Sequence, residues 1–183
     1  MSRLSPASIR FLQRSQQLSP ADKGYESYGQ AYTQLFCELY DIMREMKVAL
    51  EEQGLGLWTL TYDGDKLDRS LSFSFNLGQE FVKSTINLHL VFNPHGASSL
   101  SVSSDIAVDR INQEELKAFF RSPAYKRYFK PHSFQGKNLE THIAQRQIGS
   151  RHLGDYLKHL IEMAGPYIKC LREAAHRPAL QLV

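Results

Sequence analysis

The sequence predicts an α+β domain: a four-stranded antiparallel meander sheet, with a long N-terminal helix and a C-terminal helical set packed on one face. Three observations predict it. Residues 57–108 hold four short runs in which apolar and polar residues alternate, the period of a strand. Residues 27–53 and the stretch after Ser150 instead repeat apolar residues at three- and four-residue steps, the period of a helix. The turns between the four runs are too short for parallel crossovers, which need about a dozen residues or more. A sheet with one dry face needs a cover, and the flanking helices supply it.

Residues 1–26 form a flexible or loosely docked N-terminal segment. Ser5-Pro6 opens a short helix there, with Ile9, Phe11 and Leu12 as a stripe among Arg3, Arg10 and Arg14. The segment is basic and has no acidic residue before Asp22, the composition of a transit peptide or an export signal as well as of a frayed terminus. Residues 27–176 make the single α+β domain. Its first helix carries Tyr32, Leu35, Phe36, Leu39, Ile42, Met43, Met46 and Leu50 on one face, and Gly54 is placed to stop it. In the sheet, Trp58, Leu60 and Tyr62 alternate with Thr59 and Thr61. Leu71, Phe73, Phe75 and Leu77 alternate with Ser70, Ser72, Ser74 and Asn76. Ile86, Leu88, Leu90 and Phe92 alternate with Asn87, His89 and Val91, and Leu100 and Val102 face in while the serines of residues 98–105 face out. Asp63-Gly64-Asp65, Gly78-Gln79-Glu80 and Asn93-Pro94-His95-Gly96 supply the turns.

Beyond the sheet, Asn112 with Glu115 three residues on reads as a capping-box variant, opening a helix with Leu116, Phe119 and Phe120. Ser122-Pro123 starts a second short helix through Phe129, and Pro131 ends it. Residues 131–137 read as irregular and 138–148 as helical, with Leu139, Ile143 and Ile148 inward. Ser150 caps the last helix, whose stripe is Leu153, Tyr156, Leu157, Leu160, Ile161, Ala164, Ile168 and Leu171. Gly165-Pro166 is expected to kink it. Residues 177–183 form a loose tail.

A chain of 183 residues buries roughly 70% of its unfolded surface, enough to fold without a metal or disulfide staple. Composition is that of a globular protein, 42% hydrophobic and 22% charged. No apolar run approaches the roughly 20 residues that cross a bilayer, and the N-terminus lacks a secretory apolar core. Cys37 and Cys170 read as two buried reduced thiols. The expected location is cytoplasmic, with export as an effector or organelle targeting through residues 1–26 as the alternatives. The net charge of +3 is unevenly spread. Residues 1–116 carry 10 Lys and Arg against 15 Asp and Glu; residues 117–183 carry 12 against 4.

No motif of catalysis or of cofactor binding is present. Gly-x-Ser-x-Gly, Gly-x-x-x-x-Gly-Lys and Gly-x-Gly-x-x-Gly are all absent. His152 and His159 share a helix face but stand about 10 Å apart along the axis, too far for one metal. No cofactor and no metal is therefore expected. The stretch that stands out is Tyr125-Lys126-Arg127-Tyr128-Phe129-Lys130-Pro131-His132, with cations interleaved among rings. Cations take phosphates and rings stack on unpaired bases, although the same helical spacing also suits core rings beneath solvated charges. Arg121, Lys137, Arg146, Arg151 and Lys158 extend the set, so that Arg121, Lys126, Arg127, Lys130, Lys137, Arg146, Arg151 and Lys158 form a candidate surface for an anion or a partner.

The leading expectation is a non-enzymatic protein-interaction module of adaptor or chaperone type, with another protein or a second copy of the chain as partner. Helices on one face of a sheet are loosely similar to small secretion-chaperone domains, and that likeness is one of arrangement alone. The second reading is a nucleic-acid or phosphate-binding protein that uses the basic C-terminal third. The third is an enzyme whose site assembles from distant residues.

Overall fold

A computed structural model describes residues 3–14, 25–62, 71–77, 85–93, 96–131 and 138–176. The turns expected at 63–65 and 78–80, the outward position of Ser70 and the tail 177–183 lie outside these residues, as do Lys137 and His132. In chain order the elements are α1 (Pro6–Arg14), α2 (Tyr25–Glu52), β1 (Thr59–Tyr62), β2 (Leu71–Leu77), β3 (Ile86–Phe92) and β4 (Ser98–Ser104). A 3-10 turn at Val108–Arg110 follows, then α3 (Gln113–Arg121), α4 (Pro123–Tyr128), β5 (Lys130–Pro131), β6 (Leu139–Ile143), α5 (Gln145–Ile148) and α6 (Leu153–His176).

The protein is α+β with one antiparallel sheet, and the sheet is larger than the four-stranded meander expected. Its order is β1-β2-β3-β4-β6-β5. The first four strands are the meander. A fifth strand, β6, pairs with β4, and the two-residue β5 pairs outside it. Residues 138–148 are thus a strand and a single helical turn rather than one helix. Alternation survives in β6, where Leu139, Thr141 and Ile143 are buried.

Register places the dry face as alternation requires. Phe73 pairs with Leu90, Phe75 with Leu88, Leu88 with Val102, and Val102 with Leu139. Helix α2 crosses β1 and β2, while α6 crosses β3 and packs on α2. Phe73 is the hub: its ring centroid lies 5.9 Å from that of Phe36, 5.6 Å from Tyr62 and 6.2 Å from Phe92. Ser98 departs from the expected outward serines. It is buried opposite Ile143, and its hydroxyl accepts from the Asn93 N–H at 2.9 Å, which removes the cost of burying it.

Local signals set the helix ends. Asn112 accepts from the N–H groups of Glu114 and Glu115, and Ser122 from that of Tyr125, with Pro123 in the first turn of α4. Gly54 follows α2 with φ 69°, the left-handed stop. Helix α6 continues through Pro166; both Pro166 and Glu162, whose carbonyl loses its intrahelical partner, are exposed. Cys170 is buried as expected, but Cys37 is exposed on α2, and both thiols are free.

Helix α1 packs on α2 through buried Phe11 and Leu12. Glu38 of α2 ties down its start, accepting from the Ser5 N–H at 2.7 Å and from Gln34 at 3.0 Å. Burial alone raises the pKa of Glu38, but these bonds, with hydroxyl contacts from Ser5 and Ser8, outweigh it and hold the carboxyl below its usual value. A depressed carboxyl contributes stability above its unfolded pKa and loses it as pH falls through the folded one. Protection of the Phe11 and Leu12 amides from hydrogen exchange, taken relative to intrinsic exchange at each pH, is therefore expected to fall as pH drops below the ordinary carboxylate range. Glu38→Gln should flatten that acid dependence; an unchanged profile would show that Glu38 does not anchor α1.

Candidate functional site

The sheet edge at β6 is only partly covered. Chain geometry explains why. Lys130 pairs with Glu140 and Pro131 with Leu139, and there the β5 pairing stops. One residue earlier, Phe129 ends α4, its N–H bonded to the Tyr125 carbonyl at 2.9 Å. The chain therefore leaves the edge into a helix before it can pair with Thr141, His142 and Ile143. Among the described residues these three have a strand neighbour on the β4 side alone.

A cleft of about 250 Å³ lies where β5 stops. Lys126, Arg127, Tyr128 and Phe129 line it from α4, Thr141 and His142 from β6, and Tyr156 from α6. The rings are already packed. The Arg127 guanidinium lies 5.4 Å from the Tyr128 ring centre, and the ring of Tyr128 meets that of His159 edge-on at 5.2 Å. Phe129 is buried. Tyr156 is half-buried; burial raises its pKa and Tyr128 adds to that, while the charge of Arg146 opposes both. Arg146 is thus close enough to act on the cleft's phenol. Among the described residues no carboxylate lines the cleft, and no lining pair joins a nucleophile to a base.

Of the candidate surface, Lys126 and Arg127 line this cleft, and Arg146, which does not line it, acts on Tyr156 through its charge. Lys130 occupies the β5 position opposite Glu140. Arg121, exposed at the end of α3, Lys158 of α6, and Arg151, which donates to His152, do not line it. Tyr156, half-buried and packed against the core as its stripe requires, also lines it. Thr141 and His142 were hidden by the helical reading of 138–148; the alternation of Leu139, Thr141 and Ile143 was the available signal.

Two other places gather polar side chains. The wet face of the sheet carries a row in register, Thr61, Ser74, His89, Ser101 and Glu140. His89 has Ser74 Oγ 2.8 Å from Nδ1 and Ser72 Oγ 3.3 Å from Nε2, so both ring nitrogens are occupied by hydroxyls and the histidine is structural. A wider cleft of about 580 Å³ at the end of α2 is crossed by Arg172, which donates to the Gly54 carbonyl, and Lys169 stands 3.9 Å from Glu173. Its charges are already engaged in the fold. Among the described residues, no three His, Cys, Asp or Glu side chains are placed to hold a metal, and no helix is long and apolar enough to cross a membrane.

Fold and cleft together define an α+β domain with a small basic cleft beside a sheet edge that β5 covers only in part. Set against protein-family models, curated proteins and solved structures, the chain matches none of them.

Proposed function

We propose that the protein is a non-enzymatic protein-interaction module whose α4–β6–α6 cleft holds an acidic segment of a partner protein. One observation carries the reading: Lys126 and Arg127 line, with His142, a cleft that no carboxylate lines among the described residues, and the charge of Arg146 reaches its Tyr156. Exposed cations with no carboxylate partner among the described residues attract the carboxylates of a partner.

Nucleic acid fits less well for two reasons. Single-strand binding needs aromatic faces free to stack on bases. Here Arg127 covers Tyr128, and Tyr125 and Phe129 are buried. It also needs cations strung along a backbone path, whereas Arg121, Arg151 and Lys158 stand apart from the cleft. Fluorescence anisotropy with a labelled polyglutamate peptide and a labelled oligothymidylate at about 0.15 M salt separates the two readings. The peptide is expected to bind the more tightly. Tighter binding of the oligonucleotide would move the function to nucleic acid.

A further inference from the structure

We propose that the partner's acidic segment binds as an added strand, pairing its backbone with the open edge of β6 at Thr141–Ile143. This deepens the acidic-segment reading and rests on it. The added strand occupies the position in the sheet that β5 leaves at Phe129.

Three features point to this mode. First, the edge is available. Residues of an antiparallel strand direct their N–H and C=O groups alternately to the two neighbouring strands. Thr141, His142 and Ile143 all pair with β4, so at least one of them also presents both groups outward, beyond the reach of β5. An edge with no strand partner among the described residues is a template for a further strand. Second, there is room beside it. The cleft opens on Thr141 and His142 themselves rather than on a distant helix face. Three strand residues span about 10 Å, the reach of a short extended segment. Third, the charge beside the edge selects what enters. Side chains of an added strand leave alternately on its two sides. One set runs toward the helical layer, where Lys126 and Arg127 of α4 line the cleft with Tyr128 and Tyr156. The other runs toward exposed His142 and the hydroxyl-rich face. Carboxylates at alternate positions thus meet the cations, with small polar residues between them. The occupant is an extended acidic peptide, because its backbone supplies the pairing and its alternate carboxylates supply the selectivity.

The test uses the whole protein and a labelled peptide of alternating Glu and Thr. Two further peptides carry backbone N-methyl groups, one on the Glu residues and one on the Thr residues. A methyl removes the donor and blocks approach to a strand, while leaving every carboxylate in place. A strand offers its N–H groups to one neighbour at alternate residues only, and the alternating carboxylates fix which set faces α4. One methylated peptide should therefore lose about tenfold or more in affinity, and the other should bind nearly as the parent does. Equal affinities for the two methylated peptides would overturn strand addition, while binding of the parent would leave the acidic-segment reading standing. No binding of the parent peptide would overturn both.

Discussion

Phe73→Ala is expected to cost about 3–5 kcal/mol, the range for truncating a buried phenylalanine. Phe73 is fully buried at the centre of β2, and its ring touches Phe36 and Tyr40 of α2, Tyr62 of β1 and Phe92 of β3. Truncation opens a cavity between the sheet and its helical cover. Rigid rings on four sides cannot collapse into it, which sets the cost near the upper part of the range. Neighbouring Ser72 faces the other way, half-buried, with its hydroxyl 3.3 Å from His89. Losing that one bond should cost about 1 kcal/mol or less. Urea titrations of the two variants make the comparison. Equal midpoints would show that β2 does not divide its faces as described.

The core of the sheet was legible because β2 and β3 alternate over seven residues each, long enough to separate a period of two from one of 3.6. The starts of α3 and α4 were legible because Asn112 and Ser122-Pro123 carry the chemistry of a helix start in their own side chains. Strand β6 was not. Leu139 and Ile143 are four apart, a spacing that fits one face of a helix and one face of a strand equally well. Only Thr141 between them favours the strand, and a threonine is weak evidence of burial. Strand β5 is two residues long and has no period at all. The cleft was half legible. Its cations stand in one run of sequence, but Tyr128, His142 and Tyr156 meet only after β6 turns from α4 and α6 returns across it. Tyr156 is next to Leu157 on a regular stripe, so its spacing marked it as core. Nothing local distinguishes a ring at the rim of a core from one inside it.

Neutralisation by Lys126→Gln, Arg127→Gln and Arg146→Gln together is expected to weaken acidic-peptide binding by about threefold to a hundredfold. Exposed charge pairs contribute about 0.2–1 kcal/mol each, and three act on one ligand here. Folding should shift by less than about 0.5 kcal/mol, since all three side chains are exposed. Glutamine keeps length and hydrogen-bonding capacity, and it avoids placing a negative charge at the C-terminus of α4, where the helix dipole would oppose it. The same polyglutamate peptide reports on the unmodified protein and on the triple variant, by fluorescence anisotropy at about 0.15 M salt with thermal melts run alongside. Binding that falls at least about threefold while the melting temperatures agree is the result expected of an acidic-segment site at the β6 edge. Binding that is undiminished in the triple variant would contradict it and place the acidic site elsewhere on the molecule.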